Sequence, residues 1–365
     1  MKILVPIIGF GTAGGYRVLS ELANHWLRDG HQVDFLVDER SSDPYFPTSA
    51  KICRFDRQGR LLSHQAGERR TEFSSNGNAA SIYFGMWRAL RRIASGYDVI
   101  LANHSLTAFP VAFSKARKAS KYYYVQAYEP EYYALEKGRK ARVLEWLSML
   151  SYRLNLKQIA NAPIYIDYRD ISAQHWIPPG VDESIFHRRS FISDFTLRKP
   201  LVIGTIGRKE ASKGTRYVLE AFEKLALIDP DVQLKVAFGN LPENWKHDRA
   251  KIVVPNGDHE LADYYRSVDI LIAPGTVQLG ACHYPVLEAM SCGTPVITTG
   301  YLPASKENSW IVPVADSDAI VSSVLEISSS SRIDVLKKLD LAAEAISSFH
   351  WKNVSRRFID LFECR

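Results

Sequence analysis

Two hydrophobic rhythms alternate along this chain. Short apolar runs, Ile3 to Ile8, Gln32 to Val37, Asp98 to Ala102 and Lys121 to Val125, are separated by longer stretches in which apolar residues return every three or four positions. The first kind reads as strands buried on both faces, and the second as helices that cover them. In Tyr16 to Arg28, for example, Val18, Leu19, Leu22 and Trp26 fall on one helical face. Helices are expected over Ser81 to Ala94, after Ser105, and over about 139 to 160. A charged stretch without apolar period, 187–199, interrupts the pattern, which restarts at Leu201 to Ile206. Strands follow at 232–238, 251–255, 270–274, 295–299 and 309–314, with helices at 217–228 and 260–268. Strands alternating with helices predict an α/β fold with parallel sheets. Two Rossmann-like domains are therefore expected: 1–186, a linker at 187–199, and 200–349. The polar stretch 56–80 reads as a long loop or irregular excursion.

Composition narrows the partners. The apolar content of 46% over 365 residues suffices for two cores. No apolar run reaches 18 residues, and a glycine-rich turn after Met1 to Ile8 stands where a signal peptide needs a longer core, so a cytoplasmic chain is expected. Cys53, Cys282, Cys292 and Cys364 show no paired spacing and read as free thiols. A net charge of +6 asks for an acidic partner. Nucleic acid is not expected, because the basic residues are spread over both halves. Lys137, Arg139, Lys140 and Arg142 run into an apolar segment holding Trp146, which is either a membrane-surface helix or an ordinary solvated one. Asp316 and Asp318 read as a helix cap, not a metal-binding pair.

The densest chemistry lies between Gly280 and Gly300. Pro285 opens a helix of about two turns, and Gly293 with Pro295 ends it. Val286, Leu287 and Met290 make its buried stripe, and its free N-terminus suits a phosphate. Glu288, one turn in, either serves that site or merely complements the dipole and faces water. Near the start of the chain, Gly9, Gly11 and Gly14 spell G-x-G-x-x-G, which leaves open a dinucleotide reading with Asp38 as the ribose acid. His104 ends a strand and is either a site residue or a capping histidine. Gln126, Tyr128 and Glu129 crowd the end of another strand, ahead of Pro130, as a binding loop does. Arg208 and Lys213 flank a loop before a helix, where a guanidinium and an ammonium can hold a leaving phosphate.

Taken in order, these motifs resemble the retaining glycosyltransferases of family four, of the GT-B fold. Gly280 to Gly300 is similar to their Gly-x-x-x-Pro-x-x-Glu-Ala-Met-x-x-Gly-x-Pro-Val segment, Gly14 and Gly15 to their Gly-Gly turn, and Arg208 with Lys213 to their Gly-Arg…Lys-Gly. Phe349 to Trp351 resembles their Phe-x-Trp. The resemblance implies two domains facing across a cleft, with a C-terminal helix, 350–365, crossing back to the first. It implies that Arg208 and Lys213 hold the donor diphosphate, that Glu288 binds the ribose, and that Gly14, Gly15, Asn256, Cys282, His283, Tyr284, Val286 and Leu287 line the donor. His104, Gln126, Tyr128 and Glu129 are the acceptor or sugar candidates. Gln126 to Pro130 resembles the Gln-x-x-Glu-Pro of a subset that builds rhamnose- and mannose-containing surface polysaccharides. Neither metal nor cofactor is expected beside the nucleotide sugar. Expected partners are a glycan or lipid-linked glycan acceptor and anionic inner-leaflet lipid, on the cytoplasmic face of the inner membrane. One position departs from the family. Gly280 stands where a Glu is usual, which fits either a donor with a different hydroxyl pattern or a module that binds nucleotide sugar without transferring it. An NAD-dependent oxidoreductase is the remaining reading, and the chain offers no nicotinamide pocket for it.

Overall fold

The computed structural model describes residues 1–62, 79–188, 197 and 199–364. The chain divides into two units, Met1–Pro179 with Trp351–Arg365, and Gly180–His350.

In the first unit, seven parallel strands lie in the order β3-β2-β1-β4-β5-β6-β7. They are β1 (Lys2–Pro6), β2 (Gln32–Asp38), β3 (Lys51–Phe55), β4 (Val99–Ala102), β5 (Ser120–Val125), β6 (Lys157–Ala160) and β7 (His175–Trp176). β4 and the last four residues of β1 and β5 are buried throughout, as strands covered on both faces must be. The covering helices are α1 (Gly14–Arg28), α2 (Ala79–Ile93), α3 (Ser105–Ala112), α4 (Glu129–Leu135) and α5 (Arg139–Ser151). Of the helical stretches expected over about 139–160, one helix forms and ends at Ser151, and Lys157–Ala160 pairs with β5 instead. Four residues, Lys-Gln-Ile-Ala, are too few to tell a strand from a helix end by period; tertiary pairing decides it. The short β3 and β7 also lack a pattern of their own. Residues 163–167 form a 3-10 turn.

The second unit carries six parallel strands in the order β10-β9-β8-β11-β12-β13. These are β8 (Val202–Ile206), β9 (Gln233–Ala237), β10 (Ala250–Val253), β11 (Ile270–Ala273), β12 (Val296–Thr298) and β13 (Trp310–Ile311). Around them lie α6 (Thr215–Ile228), α7 (Asp258–Arg266), α8 (Tyr284–Ser291), α9 (Ser317–Ser329) and α10 (Arg332–Ser347). Asp316 caps α9, its carboxylate accepting from Ala319 N–H at 2.8 Å.

The chain passes between units at Pro179–Gly180. Residues 180–186 are held in the second unit, where Phe186 lies 6.3 Å from the Tyr265 ring and Ile185 O accepts from Arg266. Of the polar stretch 56–80, the start is a turn tied by Asp56 to Arg60 (2.7 Å). Residues 63–78, and most of the 187–199 linker, lie outside the described residues. The final helix, α11 (Trp351–Glu363), belongs to the first unit. Phe358 and Phe362 pack edge-on to Trp26 at 5.7 and 5.8 Å, and Trp26 Nε1 donates to Ser355 O. Among the described residues no helix is long and apolar enough to cross a membrane.

Candidate active site

Each sheet has a switch point where neighbouring connections leave in opposite directions, and α/β sheets gather ligands outside the strand ends there. In the second unit it lies between β8 and β11. Arg208 follows β8, its backbone clamped by Thr215: Arg208 N–H donates to Thr215 Oγ1 (3.0 Å), which donates to Arg208 O (3.1 Å). A 3-10 turn then carries Lys213 into Gly214, at φ +74°. A Cβ on Gly214 would stand 2.0 Å from Pro274 O. Thr276 N–H donates to Ser212 O at 2.9 Å, so the loops after β8 and β11 are bonded together.

The β11 loop is also laced to residues 299–302. Thr299 Oγ1 donates to Gly275 O, Tyr301 Oη to Val277 O (both 2.6 Å), and Gly280 N–H to Gly300 O (2.9 Å). It delivers His283 to the N-cap of α8. The side chains of Val286 and Leu287 are fully buried and their N–H groups close on His283 O. An anion at this helix start therefore meets the chain ahead of them, at Cys282, His283 and Tyr284.

Electrostatically the site is cationic. Among the described residues, no carboxylate pairs with Arg208 or Lys213. Burial lowers the Lys213 pKa first, and the Arg208 charge lowers it further, against a smaller opposing effect of Glu210. His283 is held well below the usual imidazole range by burial, then by Lys213 and Arg208, and is neutral at pH 7. Its Nδ1 is buried without a hydrogen-bond partner among the described residues, and its ring lies 4.9 Å from Tyr301. Burial also pushes the Cys282 thiol up.

Glu288 is 2% exposed and accepts from Tyr265 Oη at 2.8 Å. The water-facing reading of this residue is excluded. Tyr265, a partner sequence reasoning missed, is kept protonated by its burial and by the Glu288 charge. Asn256 is exposed on the turn after β10, its N–H bonded to Glu260 at 2.8 Å.

Gly280 adopts φ +87°, a conformation that penalises any Cβ. Gly280→Glu should therefore cost about 1–2 kcal/mol and lower the Tm by about 2–8 °C, read by a thermal scan before any kinetic comparison. An unchanged Tm would show that the loop tolerates the family's usual residue.

The first unit's switch point lies between β1 and β4. Gly14 and Gly15 open α1 here, and a Cβ on Gly15 would stand 3.1 Å from Gln126 Oε1 at the end of β5. The Gln126 carboxamide has no hydrogen bond among the described residues. His104 caps α3, Nδ1 accepting from Leu106 N–H at 3.2 Å. That places the ring proton on Nε2, which lies 3.4 Å from Glu129 Oε2. Glu129 also accepts from Ser105 N–H (3.0 Å) and Ser105 Oγ. Both residues are thus built into the start of α3. Tyr128 donates to Asp170 at 3.0 Å and stacks on Tyr152; burial and Asp170 push its hydroxyl up to about 12. Asp38 is 1% exposed and held at both oxygens by Arg40 (2.7 and 3.2 Å), so it is not available as a ribose acid.

Two doubly wound parallel sheets, each reversing between its first and fourth strands, with the last helix returned to the first unit, define the GT-B fold. Residues 200–330 match the family model described as Glycosyl transferases group 1. A D-inositol 3-phosphate glycosyltransferase of Stackebrandtia nassauensis is 30% identical over 149 residues, 33% of this chain and 32% of that protein. The mannosylfructose-phosphate synthase of Agrobacterium fabrum is 27% identical over 195 residues, 46% of this chain and 42% of that protein. The match thus spans a third to two-fifths of the length of these curated relatives. Among solved structures, Anabaena HepE in complex with UDP and glucose superposes with a TM-score of 0.68 at 17% identity, over 100% of both chains. WaaG, a glycosyltransferase involved in lipopolysaccharide biosynthesis, gives 0.69 at 14% identity, also over 100% of both chains. At these identities the likeness shows the fold.

Proposed function

We propose that this protein is a retaining glycosyltransferase that moves a hexose or 6-deoxyhexose from a nucleotide sugar to a glycan or lipid-linked glycan acceptor, in bacterial surface-polysaccharide assembly on the cytoplasmic face of the inner membrane. The observation that carries this reading is the pair Arg208 and Lys213, two cations without a carboxylate partner among the described residues, at a switch point shared with the start of α8. Such a pair is unfavourable until a dianion arrives.

In this reading the diphosphate lies against Arg208, Lys213 and the chain from Cys282 to Tyr284, Glu288 takes the ribose hydroxyls, and Asn256 lies beside the base. The acceptor oxygen bonds to the anomeric carbon on the face from which the diphosphate leaves, which retains configuration. Its proton passes to the departing phosphate oxygen, while the two cations stabilise the charge that grows there. Gln126, unable to act as a base, is assigned to hydrogen bonding with sugar hydroxyls, with His104, Tyr128 and Glu129 beside it. His283 and Tyr284 are assigned the contacts that a Glu at position 280 would make.

The non-transferring alternative rests on Gly280. Against it stand the unpaired cations, which a module that only bound nucleotide sugar would have less reason to keep. The oxidoreductase reading loses its ribose acid to Arg40.

Thermal-shift binding against UDP, GDP, dTDP and ADP with their sugars tests the proposal. A ligand at a hundred times its dissociation constant stabilises by about 2.7 kcal/mol, or about 5–10 °C. Glu288→Gln, which can still accept from Tyr265, should keep the fold and lose most of that shift. A shift with NAD alone would sink the reading.

A further inference from the structure

Where β9 ends in the second unit, three successive residues take the left-handed conformation: Phe238 at φ +63°, Gly239 at +66° and Asn240 at +53°. L-residues visit this region singly, and a bulky side chain in it is an outlier. The surrounding backbone enforces it. Phe238 N–H donates to Val253 O at 2.7 Å, Gly207 N–H to Ala237 O at 2.9 Å, and Asn240 Nδ2 to Gly207 O at 3.2 Å. The loop sits so tightly on the end of β8 that a Cβ on Gly207 would stand 1.7 Å from Gly239 O. A glycine at position 238 would keep all of these bonds without the steric cost. Burial of the ring does little to offset that cost, because Phe238 is 40% exposed. Strain of this kind collects where a side chain is held ready for a ligand.

The surroundings identify the ligand. Ile252, 53% exposed, lies 3.4 Å from where a Cβ on Gly239 would stand, and Val254, just past the edge strand β10, is 71% exposed. Ring and aliphatic side chains therefore form an apolar patch at the C-terminal ends of β9 and β10. Asn256 follows on the next turn, exposed, its carboxamide without a hydrogen bond among the described residues. Arg208 comes directly after Gly207, so the cation leaves from the neighbouring strand, about 5 Å away. A ligand that spans these groups carries a diphosphate at one end and an apolar face with a hydrogen-bonding edge at the other. A nucleoside diphosphate has that chemistry. A protein partner would find one ring and two aliphatic side chains, far too small an area for a stable interface.

We propose that Phe238 is the platform on which the base of the donor nucleotide stacks, with Asn256 at the edge of the base. This rests on the nucleotide-sugar reading of the site and adds to it the residue that holds the base. Every base has a π face, so the platform supplies affinity whichever nucleotide is used. Phe238 touches no reacting atom and takes no part in the transfer step.

Calorimetric titration of the full chain with UDP, GDP, dTDP and ADP, and with inorganic pyrophosphate as a probe without a base, tests it, beside a thermal scan of each variant. Phe238→Gly and Phe238→Asn both tolerate the left-handed backbone. Each should weaken the nucleotide that binds by about five- to a hundredfold, leave pyrophosphate binding unchanged, and keep or raise the Tm. Phe238→Trp, which restores a ring, should retain the nucleotide. Nucleotide affinity left intact in Phe238→Gly would overturn the proposal while the glycosyltransferase reading stands. A lower Tm in both variants, with nucleotide and pyrophosphate weakened alike, would also overturn it, because the ring would then only hold the loop in place. A wild-type chain that binds none of the four nucleotides would remove the glycosyltransferase reading and this proposal together.

Discussion

Lys213→Met should lower kcat/KM for sugar transfer by about 10²- to 10³-fold and leave the Tm unchanged or higher. The two effects have one cause. The Lys213 pKa is lowered by burial and by the neighbouring Arg208, so between that lowered value and the ordinary one for lysine the unfolded chain binds more protons than the native one. Stability therefore rises with pH through that window, and the penalty of charging Lys213 is fully present at pH values below it. Removing the ammonium removes the penalty, along with the group that stabilises the leaving diphosphate. Arg208→Leu should cost a similar factor in rate. Because both cations act on the same leaving group, the double variant should lose less than the product of the single losses. Steady-state kinetics with a thermal scan of each variant separates the terms. A Tm that falls sharply in Lys213→Met would show that the lysine holds the loop together, and would remove the argument for its catalytic role.

Gly214→Ala should be strongly destabilising. The left-handed conformation costs about 1–2 kcal/mol for a residue with a Cβ. The overlap with Pro274 O, 2.0 Å away, must be relieved by moving backbone, which adds about 1–3 kcal/mol. Together these predict a Tm lower by about 5–15 °C and a slack link between Ser212 and Thr276. Gly257 provides the comparison: it has a similar φ of +85° with nothing within 4 Å of a Cβ. Gly257→Ala should therefore show the conformational cost alone, about 1–2 kcal/mol. Calorimetry on the pair measures the difference. Equal losses would mean that the loops after β8 and β11 are not packed as described, and that the cations are not rigidly placed relative to α8.

Local chemistry was largely legible in the chain. The helix from Tyr284 to Ser291 was visible because Pro285 and Gly293 punctuate it, and the basic loop because Arg208 and Lys213 bracket a strand-to-helix turn. What the sequence leaves hidden is which groups are already engaged. Nothing near Glu129 announces that Ser105, 24 residues earlier, ties its carboxylate, or that His104 is fixed by a backbone amide on one nitrogen. Asp38 looks like a ribose acid by its spacing, yet Arg40, two residues on, holds it. Glu288 reads equally well as a solvated side chain until Tyr265, on a different helix, is seen to donate to it. These are contacts made by topology, and no hydrophobic period encodes them. The same holds for β3, β6 and β7, short strands whose pairing and not their composition defines them.

The return of α11 to the first unit sets an order of assembly during synthesis. Trp26 waits for Ser355, 329 residues later, and Tyr122 for Leu361, 239 residues later. The core of the unit that is translated first therefore stays unclosed while all of Gly180–His350 is made. The second unit, with its own sheet and internal contacts, is complete before α11 reaches the first. Until then Trp26, Tyr122 and Tyr124 present an aromatic face with no cover of its own, the kind of surface that chaperones hold and aggregation exploits. The last helix thus acts as a closing clasp on a domain whose strands were made long before it.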